Sequence, residues 1–104
     1  MRGAASLLLC LAVPALLAGQ AQPTVAEHIA LGDSAHAALA PQQALGHYQA
    51  ALAHDSTNYV ALWKAGREAV DIAKQIEGKD DSSKHVRDSL YVMARAYGDR
   101  KSVV

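Results

Sequence analysis

The chain has 104 residues, with ten basic and ten acidic side chains and a formal charge of zero. Hydrophobic residues make up 51% and aromatic ones 5%, with no Phe and one Cys. The absence of a basic stripe argues against nucleic acid or an anionic membrane surface as partner, and one cysteine excludes a disulfide framework.

The first element is a leader. Arg2 is followed by the apolar run Leu7–Ala18, and Gly19-Gln20-Ala21 places small residues before a cut after Ala21. That layout predicts a secretory signal peptide over residues 1–21. The run is shorter than the ~20 residues needed to span a bilayer, so no membrane span is expected after cleavage. Cys10 leaves with the leader. The mature part has about 83 residues, a charge of about −1 and no disulfide, so its core alone must hold it together. Localisation is expected to be periplasmic or secreted.

The mature chain reads as all-α. Thr24-Val25-Ala26-Glu27 has the form of a capping box. Ile29, Leu31, Ala35, Ala38 and Leu39 then recur at helical spacing. Pro41 stops this helix and suits the first turn of the next. The second helix is expected over Gln42–Ala53, with Ala44, Leu45, Tyr48, Ala51 and Leu52 on one stripe. Asp55–Asn58 is a polar break. A third helix is expected over Tyr59–Glu77, where Leu62, Ala65, Gly66, Ala69, Ile72, Ala73 and Ile76 repeat at i, i+3, i+4 and i+7, with Gly78 at its end. Gly78–Ser83 is a solvated loop, and Ser82 or Ser83 is expected to cap a fourth helix. Val86, Leu90, Met93, Ala94 and Tyr97 form the apolar face of that helix, which ends before Gly98. No alternation of period two is long enough for a strand.

Residues 99–104 read either as an artefactual tail or as a natural short one. GAT-CGG-AAG-AGC-GTC-GTG encodes this hexapeptide and resembles a common sequencing adapter. On the first reading the natural protein is expected to be longer, and different codons in the nucleotide sequence would refute it.

Leu31, Gly32, Ala44, Tyr48 and Ala51, within about 34 residues from Val25 to Asn58, resemble the tetratricopeptide repeat. Ala65-Gly66 follows Asp55–Asn58 at the spacing of Leu31-Gly32. His28 stands where the motif has Trp, Ala35 where it has Tyr, and Ser56 where it has Pro. Ala61–Ala69, the long third helix, the charged loop and Tyr91…Ala94-Arg95-Ala96-Tyr97 are similar to the regulator of microtubule dynamics family and its exported bacterial relatives. The resemblance implies one repeat over residues 22–58. A second unit follows over residues 59–98, with an extended first helix and the loop 78–83.

It also implies a concave surface lined by the first helix of each unit. The inward set is Ile29, Asp33 and His36, with Trp63, Arg67 and Val70. Asp33 and Arg67 fall at equivalent positions and are expected to pair. Trp63 is either in this groove or in the core. The Lys and Asn residues with which some members clamp a terminal carboxylate are absent at these positions. The implied function is a non-catalytic scaffold for a protein or peptide, without cofactor. Two alternatives stay open. One is a purely structural part of a longer solenoid that stacks on further repeats of its own chain. The other is the helical accessory region of an enzyme whose catalytic part lies elsewhere.

Chemistry-bearing residues point nowhere else. His28 and His36 are eight apart and His47 and His54 seven apart, so neither pair has the i, i+4 spacing of a metal site. These histidines, with His85, read as solvated or half-buried helix residues, and no metal is expected. Glu68 with Asp71, and Asp80 with Asp81, read as surface charges. No G-x-S-x-G motif or Gly-rich phosphate loop occurs.

Overall fold

A computed structural model describes residues 22–103. The predicted signal peptide lies outside the described residues. The described chain is all-α, with α1 (Val25–Ala37), α2 (Pro41–His54), α3 (Tyr59–Gln75) and α4 (Asp81–Val103). No helix among the described residues is long and apolar enough to cross a membrane.

Each helix start has a local cause. The Thr24 side chain accepts from the Glu27 N–H at 3.1 Å and caps α1. The Thr24 hydroxyl donates to the Glu27 carboxylate in return. Pro41 opens α2, where a missing N–H leaves nothing unsatisfied. The Asn58 side chain accepts from the Ala61 N–H at 3.0 Å and caps α3.

The start of α4 differs from the expectation. Asp80, not Ser82 or Ser83, is the cap: its carboxylate accepts from the Ser83 N–H at 3.2 Å and from the Ser83 hydroxyl at 2.7 Å. A charged acceptor is favoured over a hydroxyl at the positive end of a helix.

Helix ends differ too. α3 stops at Gln75, two residues early, because the chain turns extended at Ile76 (ψ 110°). Arg87 of α4 reaches back and donates to the carbonyls of Ile76 and Gly78. α4 runs through Gly98 to Val103, and no glycine among the described residues has positive φ. The left-handed position falls on Leu39 instead, at φ 59°. Ala40 donates to Ala35 and Leu39 donates to His36, the bond pattern of a Schellman motif that ends α1.

Contacts set the arrangement. Gly32 lies against Tyr48, while His28 lies near both His47 and His54, so α1 and α2 run antiparallel. Gly66 meets Ala94 and Tyr97 while Arg87 meets Ile76, so α3 and α4 also run antiparallel. Asp33 pairs with Lys64 and His36 with Glu68, which places α1 and α3 side by side in the same sense. Gln49 of α2 donates to the Tyr97 hydroxyl of α4 at 3.1 Å. The result is two stacked helical hairpins, with the first helices in one layer and the second helices in the other.

The core fills the space between the hairpins. Ala44, Tyr48 and Ala51 of α2 and Ala61, Leu62 and Ala65 of α3 are fully buried, with Leu45 and Leu52 nearly so. Small residues let α2 and α3 approach closely, and Tyr48 and Leu62 supply the bulk. Each such large side chain contributes about 1.5–3 kcal/mol on burial. Val86, Tyr91 and Val92 of α4 remain exposed.

Candidate functional site

A chain of polar contacts runs along the seam between α1 and α3. Lys64 donates to both oxygens of Asp33, at 2.7 and 2.9 Å. The Tyr48 hydroxyl, reaching through from α2, donates to Asp33 at 2.6 Å. Arg67 donates to that same hydroxyl at 3.3 Å and, through Nε, to Glu68 at 3.1 Å. Nδ1 of His36 lies 2.8 Å from the other oxygen of Glu68. Six side chains on three helices thus form one continuous network.

Local electrostatics follow from these contacts. Burial raises the Asp33 carboxyl, but the hydrogen bonds from Lys64 and Tyr48 outweigh it, so its pKa lies below the usual value. Burial, then the hydrogen bond to anionic Asp33, pushes the Tyr48 hydroxyl well above its ordinary range.

The predicted surface residues sort as follows. Asp33 and His36 stand on α1 and Arg67 on α3, and all three belong to the network. Asp33 takes Lys64 and Tyr48 rather than the expected Arg67, because Arg67 turns to Tyr48 and Glu68. Ile29 packs against the core cluster, and Val70 is half-buried. Trp63 is 37% exposed, so it is not a core residue. The Arg67 guanidinium lies 5.1 Å from its ring centroid and the Lys64 ammonium 5.6 Å. Each contact is within cation–π range.

Glu68 corrects the sequence reading most sharply. It is 0% exposed, not a surface charge. The sequence carried a signal for this: Glu68 falls three residues after Ala65 and four before Ile72, within the apolar stripe of α3. Tyr48, Lys64 and Asp71 were likewise missed as site residues.

A cavity of about 260 Å³ opens beside the network, between His36, Leu39 and Pro41 on one side and Glu68, Asp71 and Lys74 on the other. His36, Glu68 and Asp71 each turn one donor atom to within 4.8 Å of the others. A separate group lies across α1 and α2, where the His28 ring centroid is 6.0 Å from that of His47 and 6.2 Å from that of His54. Its Nδ1 is buried without a hydrogen-bond partner.

No family model, curated protein or solved structure matches this chain.

Proposed function

We propose that this chain is an exported, non-catalytic scaffold of tetratricopeptide-like hairpins whose α1/α3 face binds a protein or peptide. The observation that carries the reading is Trp63: a large aromatic ring left 37% exposed and bracketed by Arg67 and Lys64. Both cations are fixed by ion pairs, Lys64 to Asp33 and Arg67 to Glu68. A pre-ordered aromatic and guanidinium lose little side-chain entropy when a partner docks, and such pairs anchor many interfaces. The parallel placement of α1 and α3 offers that anchor on a face built from both hairpins.

Trp63→Ala is the decisive substitution. Arg67→Ala is a poorer probe, because it also strips the buried Glu68 of its guanidinium. Partners would be captured by cross-linking in the extracytoplasmic fraction of the native cell, with melting temperature measured in parallel. Trp63→Ala is expected to abolish capture and to cost well below the ~3–5 kcal/mol of a core Trp. Undiminished capture of the same partner would refute the reading.

A further inference from the structure

We infer that His36, Glu68 and Asp71 form a binding site for a divalent first-row transition metal, held between α1 and α3. The inference does not rest on the partner-binding reading.

The donor set is mixed, one imidazole and two carboxylates, which suits borderline and harder divalent ions. Glu68 and Asp71 are three residues apart, so both leave α3 on one face, and His36 approaches from α1. The three donor atoms lie within 4.8 Å of one another at the wall of the 260 Å³ cavity, which gives an ion a route in from solvent and room for its remaining waters.

Glu68 is the anchor. A carboxylate with no exposed surface needs charge partners or a metal. Arg67 donates to its Oε2 at 3.1 Å, while His36 Nδ1 faces Oε1 at 2.8 Å and Oε2 at 3.2 Å. This is how an outer partner orients a ligating carboxylate.

The His36 Nδ1 to Glu68 Oε1 distance is 2.8 Å, a hydrogen-bond distance that an entering cation would widen to the roughly 3.0–3.4 Å between neighbouring ligands. Lys74 at the cavity wall and Arg67 behind Glu68 oppose the ion's charge and limit its affinity.

The test is titration of the full chain with Co²⁺ alone, read by calorimetry and by d–d absorption, which is weak for octahedral and strong for tetrahedral Co²⁺. Saturable binding of one Co²⁺ per chain is expected, with the absorption reporting its coordination geometry. His36→Ala and Asp71→Asn should each weaken it by at least about tenfold. Asp71 is half-buried, so Asp71→Asn should keep the fold, checked by circular dichroism. Replacing His28 and His47 together should leave the affinity within about twofold, since neither belongs to the site. Absence of saturable binding would overturn the inference. So would binding that survives His36→Ala and Asp71→Asn, or that is lost with His28 and His47 instead.

Discussion

Gly32→Ala adds one carbon where the two helices of the first hairpin touch. A Cβ there would sit 2.8 Å from both Cδ1 and Cζ of Tyr48, closer than carbon atoms approach, and closer still to Cε1. The ring cannot slide away cheaply. It is 0% exposed, and its hydroxyl is held by Asp33 at 2.6 Å and Arg67 at 3.3 Å. Overpacking a filled core costs about 1–3 kcal/mol, and straining a hydrogen bond adds roughly 1 kcal/mol. Removing a mid-helix glycine returns about 1 kcal/mol. The net loss is about 1–3 kcal/mol, a fall in Tm of about 5–20 °C for a domain this small. Gly66→Ala is the matched control. Its added carbon would lie 3.5 Å from the Ala94 carbonyl and 3.8 Å from the Tyr97 Cβ, which is ordinary contact. It keeps the propensity gain and should raise Tm by about 4–8 °C. Thermal denaturation followed at 222 nm measures both. A Gly32→Ala protein that melts at or above the wild-type temperature would refute the close-contact argument.

Leu39 sits in the left-handed region with its side chain 88% exposed, so Leu39→Gly removes backbone strain and little buried surface. A gain of roughly 1 kcal/mol is expected in urea denaturation, and a lower midpoint would contradict it. Stability should also fall at both ends of the pH scale. Asp33 and Asp80 have depressed values in the fold, so their contributions are present above about pH 4 and lost as pH falls through the folded values. Tyr48 is raised, so its contribution is full below about pH 10 and lost as pH rises beyond it. Tyr48→Phe should flatten the alkaline loss relative to wild type, and an unchanged alkaline slope would show that Tyr48 is not its cause.

Which features could be read from the chain depends on the range of the interaction behind them. Thr24, Pro41 and Asn58 act within one turn of themselves, and all three helix starts were legible. Gly32 against Tyr48 was also legible, because a glycine in a helical stripe needs a steric reason and the second helix is the near neighbour. The ends of α3 and α4 were not. Ile76 continues the apolar pattern of α3, but the chain turns extended there, and its carbonyl accepts from Arg87, eleven residues on. Gly98 reads as a stop, yet it sits in α4 at negative φ with nothing within 4 Å of its would-be Cβ. Among the described residues the left-handed cap falls on a leucine, a residue that no turn rule selects.

Glu68 shows why the site itself was harder to see. Its place in the stripe of α3 was visible, but its partners come from three directions: His36 from α1, Arg67 from its own helix, and Tyr48 through Arg67 from α2. Spacing along one helix cannot reveal a convergence of that kind. A buried ion pair is also weak evidence for stability, since an apolar residue of similar volume in its place is often neutral or stabilising. Stability alone therefore gives no reason for a carboxylate between Ala65 and Ile72. Its effect is positional. One oxygen fixes the guanidinium that lies over Trp63, and the other faces His36 across the gap between α1 and α3. Loss of the carboxylate would leave the two hairpins packed through their alanines, but it would release both the Arg67 that orders the exposed tryptophan and the central donor of the His36–Glu68–Asp71 set. The same buried carboxylate thus underlies the proposed docking face and the proposed cation site, and the two proposals remain separable because Trp63 belongs only to the first and Asp71 only to the second.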